Sequence, residues 1–276
     1  MTDAQAKEAT LLELLAGSEG LLVAYSGGVD SAYLAYAAHR ALGDRALAVT
    51  ADSPSYPESH RRMARTVAEH VGFAHRFIAT HEVESPDYAE NPPNRCYFCK
   101  SELFDVLEKL RTELGFAAVA YGINRDDTGD FRPGHQAAQE HRVASPLLDV
   151  GLSKLEIREL SRAAGLPSAD LPASACLSSR IPYGMEVTPE KLRQIDRAED
   201  ALREIGFRQL RVRHHGDVAR IELAPEEMRD IGEGDRLRRM SRALHDLGFK
   251  YVALDLDGYR TGSLNEVLVI EPPKEG

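Results

Sequence analysis

Residues Leu21–Tyr25 read Leu-Leu-Val-Ala-Tyr and run straight into Ser26-Gly27-Gly28-Val29-Asp30-Ser31, which opens a helix-period segment reaching Leu42. A short apolar run, a double-glycine turn and a helix start form the strand–turn–helix unit of an α/β protein. The glycines let the backbone approach a ligand closely and take conformations closed to other residues. The helix start offers N–H groups without intrahelical partners and the positive end of a dipole, and both favour bound phosphate. Ser26 and Ser31 add hydroxyl donors. Asp30 repels phosphate unless it caps the loop or helps to hold Mg2+. The turn is neither a Walker A loop, which needs Gly-Lys-Ser/Thr after its spacer, nor Gly-x-Gly-x-x-Gly. A bare glycine turn without a ligand is the alternative; the paired serines in this context favour phosphate.

The same alternation continues through the first half. Ala46–Ala51, Arg76–Ile78 and Ala117–Tyr121 are further short apolar runs, and Glu58–Val71 and Lys100–Leu114 are helix-period segments between them. This predicts a parallel sheet covered on both faces. Gly122 and Asn124 follow the fourth run, where such a sheet presents residues at the carboxyl ends of its strands, so both are expected to contact nucleotide. Ser153–Gly165 is predicted as a helix with Ser153 as N-cap. From Leu166 to Gly184 the chain turns rich in Pro, Ser, Ala and Gly, which predicts a linker or functional loop. Beyond it, Thr188-Pro189-Glu190 starts a helix ending near Gly206. Gln209–His214, Val218–Leu223 and Tyr251–Leu256 read as strands, and Arg236–Leu247 as a helix. The expected organisation is an α/β domain over residues 1–165, a cysteine-bearing loop over 166–187 and a smaller α+β domain over 188–276.

Composition restricts the partners. With 43% apolar and 28% charged residues among 276, the chain has ample material for a core. No apolar run approaches the ~20 residues that a membrane span needs. Met1–Thr10 has neither a basic n-region nor an apolar h-region, so cytoplasm is the expected compartment and no membrane partner is expected. A formal net charge of −10 argues against broad adhesion to nucleic acid. The three cysteines are Cys96 and Cys99, a C-x-x-C at a predicted helix start, and Cys176 inside the irregular loop. An odd count directs attention to metal or reactive thiols rather than disulfides. The C-x-x-C suits zinc, an iron–sulfur cluster or redox chemistry, or is simply a pair of buried structural cysteines. Small neighbours leave the Cys176 sulfur accessible, and Arg180 brings a positive charge near it.

The turn Ser26–Ser31 matches the S-G-G-x-D-S PP-loop of the ATP pyrophosphatase superfamily. Together with Asn94-Arg95-Cys96-Tyr97-Phe98-Cys99-Lys100, Tyr121–Asp127, Asp130–Gly134, Ser145-Pro146-Leu147 and the Ala175–Gly184 loop, it resembles the LarE family closely, from about Leu11 to Glu266. The resemblance implies a PP-loop ATP-pyrophosphatase sheet with a smaller α+β domain, and an ATP-dependent, AMP- and pyrophosphate-forming sulfurtransferase. The implied substrate is pyridinium-3,5-biscarboxylic acid mononucleotide, adenylated and then converted to a thiocarboxylate for the nickel-pincer cofactor of lactate racemase. Implied cofactors are ATP with Mg2+ and a [4Fe-4S] cluster, and implied partners are a sulfide donor and further copies of the chain in a hexamer.

In this family the cysteine matching Cys176 is sacrificial in some members, losing its sulfur; others use three cysteines as cluster ligands. Three thiolates fill three of four ligand positions, so the inventory of Cys96, Cys99 and Cys176 resembles the cluster type. Arg211-Val212-Arg213 alternates on a predicted strand, which puts both arginines on one face. With Arg180 and Arg260 they look like the family's anion-binding arginines, guanidinium being suited to phosphate and carboxylate. Arg132 resembles a contact to the α-phosphate or the adenylated intermediate, and Glu199 and Asp230 resemble acidic positions for a divalent metal. Solvated surface arginines and acids are the plain alternative. Three rival activities share the loop: a tRNA thiolase, opposed by the acidic charge; a non-catalytic nucleotide sensor; and an ammonia-using ligase, which gives the cysteines no role.

Overall fold

The computed structural model describes residues 2–129, 133–172, 175–229, 231–232 and 234–260. The chain divides into two compact units, Met1–Tyr88 with Asn94–Ser174, and Ala89–Pro93 with Ala175–Gly276.

The first unit runs α1 (Asp3–Ala16), β1 (Leu21–Ala24), α2 (Val29–Leu42), β2 (Ala46–Asp52), α3 (Glu58–Val71), β3 (His75–Ala79), α4 (Pro86–Ala89), α5 (Arg95–Leu114), β4 (Ala118–Tyr121), α6 (Pro133–Glu140), α7 (Pro146–Asp149) and α8 (Lys154–Ala163). All pairings are parallel, in the order β3-β2-β1-β4. The sheet is therefore doubly wound, as the alternating runs predict. β1 is buried along its whole length, and its side chains split by the period of two. Leu21 and Val23 pack with α1, α2 and α8, while Leu22 and Ala24 pack with α5 and α6. Helix α1 lay outside the sequence expectation. It is fixed by a capping box in which Thr2 Oγ1 accepts from Gln5 N and Gln5 Oε1 accepts from Thr2 N, at 3.3 and 2.9 Å. Ser153 caps α8 in the same manner, with Glu156 as its reciprocal partner.

The second unit contains α9 (Pro189–Ile205), β5 (Leu210–His215), β6 (Val218–Leu223), α10 (Pro225–Arg229), α11 (Arg236–Asp246) and β7 (Tyr251–Leu254). Thr188 caps α9 and Gly206 ends it at φ 114°. β5 and β6 are antiparallel and β7 joins β6 in parallel. Leu202, Val212, Ile221, Met240, Leu244 and Phe249 belong to one core between sheet and helices. β7 stops before the expected Leu256, because Asp255 turns its side chain to Arg220 and Gly258 takes φ 69°. Residues 89–93 are sewn into this unit: Asn91 Nδ2 donates to the carbonyls of Ile181, Pro182 and Met185 at 3.2, 2.7 and 3.1 Å. Gly184 N in turn donates to Asn91 O, and Val187 N to Ala89 O. Among the described residues no helix is long and apolar enough to cross a membrane.

Behind β1 and β2 in the first unit, Thr50 Oγ1 donates to Tyr25 O at 2.7 Å and meets His75 Nε2 at 2.8 Å. Burial, with the Arg65 charge added, pushes His75 down to about 4 from its ordinary 6.5. An imidazole depressed in the folded state binds fewer protons than in the unfolded chain. The stability it leaves intact above pH 6.5 is therefore lost progressively as pH falls toward 4. Urea midpoints measured across that window are expected to fall for the native protein and to fall less steeply for His75→Gln.

Candidate functional site

In a sheet ordered β3-β2-β1-β4, the chain leaves β1 toward β2 but returns on its other side at β4, so the topological switch lies between the carboxyl ends of β1 and β4. Ser26–Ser31 follows β1 and Gly122 follows β4, and the two segments meet. A Cβ added to Gly122 would stand 2.7 Å from Ser31 N and 2.9 Å from the Asp30 carbonyl carbon. Gly27 takes φ 72°, and a Cβ there would lie 3.2 Å from the Ala64 backbone nitrogen. Gly28 has an ordinary φ of −74° and caps α2 without any side-chain bond. The first amides of α2 thus receive no cap from their own loop, which is the arrangement that suits an anion.

The two serine hydroxyls brace this loop. Ser31 Oγ donates to Gly28 O and accepts from Ser26 N and Ser26 Oγ, each at 3.1 Å. Tyr56 Oη, arriving from the β2–α3 connection, donates to Ser26 O at 3.0 Å. Asp30 pairs through Oδ2 with Lys154 Nζ at the start of α8, while its Oδ1 is buried with no hydrogen-bond partner among the described residues. Burial raises the Asp30 carboxyl above its usual range, and the Lys154 charge acts against that shift. Lys154 N also donates to Asp126 Oδ2 at 2.9 Å. Asn124 closes its own turn: its backbone N–H donates to Asp127 Oδ2 at 3.1 Å and its Oδ1 accepts from Asp126 N at 2.9 Å. Arg132 lies outside the described residues.

Cys96 and Cys99 sit in the first two turns of α5, Cys96 exposed and Cys99 partly so; Cys176, also partly exposed, lies in the second unit. None is in a disulfide. Among the described residues no group of three or more His, Cys, Asp and Glu is gathered for a metal.

The second unit gathers the expected arginines. Arg180 and Glu199, each 1% exposed, form a two-pronged pair with Nε–Oε1 2.9 Å and Nη2–Oε2 3.1 Å. Burial works against the charge of Glu199, yet Arg180 holds its carboxyl down at about 2. Glu199 also accepts from Arg203 Nη2 and Val212 N, so this carboxylate serves arginine; Asp230 lies outside the described residues. Arg213 pairs in the same two-pronged way with buried Glu222, at 2.9 and 2.8 Å. Arg211 shares its face of β5, stacked 5.1 Å over the Tyr259 ring. Burial and then the Arg180 charge push Arg211 down to about 10. Arg260 pairs with Asp257 at 3.2 Å.

Lys154, Tyr56 and Glu222 escaped the sequence reading. Lys154 is 124 positions from its partner Asp30, and nothing local marks such a pair. Glu222 was recoverable from strand register, since it stands opposite Arg211 and diagonal to Arg213.

A family model for asparagine synthase matches residues 15–94, the segment that carries the glycine turn. An uncharacterized protein of Synechocystis is 48% identical over 90% of this chain and 92% of its own length. The pyridinium-3,5-bisthiocarboxylic acid mononucleotide synthase of Lactiplantibacillus plantarum is 35% identical over 95% of both chains. A component of the glutamine-hydrolyzing GMP synthase of Methanothermobacter thermautotrophicus is 26% identical over 55% of this chain and 51% of its own.

The contact between Gly122 and the start of α2 has a direct test. Gly122→Ala forces two backbones apart at the glycine turn. It is expected to weaken ATP binding at least ~10-fold, about 1.4 kcal/mol, in titration calorimetry, with the helical circular-dichroism signal retained.

Proposed function

Since this chain belongs to the LarE family and is an ATP-dependent sulfurtransferase, we propose that it adenylates a carboxylate of pyridinium-3,5-biscarboxylic acid mononucleotide and replaces one carboxylate oxygen with sulfur. Likeness to the Lactiplantibacillus plantarum synthase along nearly the whole of both chains carries this reading.

The first step belongs to the glycine turn. The uncapped amides of α2 are assigned to the triphosphate, and Asp30, whose Oδ1 has no hydrogen-bond partner among the described residues, is assigned to the accompanying Mg2+. A substrate carboxylate oxygen attacks the α-phosphorus, the bond to the β-phosphate bridging oxygen breaks, and pyrophosphate leaves. The acyl-adenylate is then open to a sulfur nucleophile, which adds to the acyl carbon and expels AMP. Preorganised donors of this kind act most strongly where charge develops, here on the departing pyrophosphate. Arg211 and Arg260 are the guanidiniums assigned to the mononucleotide's phosphate and carboxylates. Arg132 is assigned to the adenylate.

Cys96, Cys99 and Cys176 are the thiolates assigned to a [4Fe-4S] cluster. When bound, such a cluster supplies a transferable sulfide at the iron that has no protein ligand. Cys176 as sacrificial donor is the second reading, favoured by a thiol that is partly exposed and outside any disulfide. Its thiolate displaces AMP as a thioester, and elimination then leaves the thiocarboxylate and a dehydroalanine. The product is suited to nickel-pincer cofactor assembly in the cytoplasm, and the chain assembles as a homo-oligomer, a hexamer by family likeness. Nucleic acid is not a partner in this reading, which the net charge of −10 supports.

Mass spectrometry of substrate and protein after incubation with ATP and Mg2+ tests the reaction. The expected products are AMP, pyrophosphate and a substrate heavier by one oxygen-for-sulfur exchange; pyrophosphate release without that exchange overturns it. Anaerobic purification with iron and sulfide assays tests the cluster, and Cys96→Ser and Cys99→Ser are each expected to lower the iron content. A colourless protein that completes one turnover and loses sulfur at Cys176 selects the sacrificial route instead.

A further inference from the structure

Arg180 is among the largest fully buried side chains of the molecule. All three of its guanidinium nitrogens are occupied. Nε and Nη2 meet the two oxygens of Glu199, while Nη1 donates to Ala175 O at 2.7 Å and to Cys176 O at 2.9 Å. The planar fork thus transmits the position of one carboxylate on α9 to the two peptide carbonyls that flank the Cys176 α-carbon. A lysine, with a single point donor on a flexible stem, could not do this.

Arg213 repeats the device from β5. Its Nε and Nη2 engage Glu222, and Nη1 donates to Ser179 O at 2.6 Å. Ser179 closes the turn from inside, its Oγ donating to Cys176 O at 2.8 Å and its N to the same oxygen at 3.1 Å. Three carbonyls of the short Ala175–Ser179 stretch therefore end on arginines anchored in buried carboxylates. The thiol carried by this stretch remains partly accessible.

Two buried ion pairs are a costly way to stabilise a small unit, because desolvation offsets much of their attraction and apolar residues of similar volume often do as well. What they supply is fixed geometry. We propose that Arg180 and Glu199, backed by Arg213 and Glu222, are positioning residues that set the sulfur of Cys176. The inference rests on the reading of Cys176 as the sulfur-bearing or sulfur-directing thiol and goes beyond it by assigning what aims that thiol.

The test reads the ratio of thiocarboxylate formed to pyrophosphate released in the full-length protein, together with the rate of Cys176 alkylation by iodoacetamide. Glu199→Gln leaves the Arg180 fork facing an amide, and the double variant Arg180→Met with Glu199→Leu replaces the pair by apolar side chains of similar size. Displacing a reacting group by about 1 Å costs on the order of 100-fold. Each variant is therefore expected to lower the ratio by ~100-fold and to change the alkylation rate, while its thermal unfolding stays cooperative. Arg203→Ala removes a partner of Glu199 that touches no part of the cysteine stretch, and is expected to keep the native ratio. A folded double variant with native ratio and alkylation rate overturns the proposal; should the double variant not fold, Glu199→Gln decides on the same readout. Cys176→Ser separates the two levels. If it still yields thiocarboxylate, the sulfur role of Cys176 falls; if it yields none while the clamp variants keep the native ratio, only the positioning role falls.

Discussion

The first unit depends on one close approach, that of the Gly122 backbone to the amide of Ser31. With 2.7 Å to a hypothetical Cβ, no side chain fits between the tail of β4 and the first turn of α2. The approach draws together the two strands that flank the switch point of the sheet. Because Lys154 reaches Asp30 from one end of its residue and Asp126 from the other, the start of α8 is tied to the same place. Three connections that are far apart in sequence thereby share one corner of the sheet. The first amides of α2 receive no side-chain cap, because the N-cap position is Gly28.

The second unit is organised by charge rather than by apolar contact at the point that matters. The carboxylates of Glu199 and Glu222 are buried to 1% and 0% exposure, which requires that each be met by a guanidinium. The requirement works in both directions: each arginine is oriented by its carboxylate, and the donor left over must point at the Cys176 stretch. Arg211, on the same strand face as Arg213, is stacked on Tyr259 rather than committed to that stretch. Its depressed pKa of about 10 records loss of water and crowding by Arg180.

Much of this was legible in the residues. The doubly wound sheet follows from short apolar runs alternating with helix-period segments, and the glycine turn reads directly as the opening of α2. The C-x-x-C appears at the start of α5 as its spacing suggests. Less legible was what individual polar groups do once folded. Ser26 and Ser31 brace their own loop and Asn124 closes its own turn, contacts that the sequence pattern alone does not show. Arg180 and Glu199 look like surface groups for ligand and metal, and are instead each other's partners. Periodicity reports burial and element type, whereas partnership between side chains 19 or 124 positions apart is set by tertiary packing and leaves no local trace. Helix α1 was missed for a different reason: its signal lies in the reciprocal Thr2–Gln5 cap, since its apolar stripe is short.

The detour of residues 89–93 has a consequence for any attempt to dissect the molecule. Asn91 is fully buried and carries three carbonyls from the stretch Ile181–Met185 on its single amide nitrogen. A fragment beginning at Ala175 would lack that amide and expose those acceptors, so no single scission yields two self-sufficient halves. The shorter half is best regarded as a discontinuous body that borrows five residues from the longer one, and a hybrid made by exchanging C-terminal segments between relatives has to carry the matching loop with it.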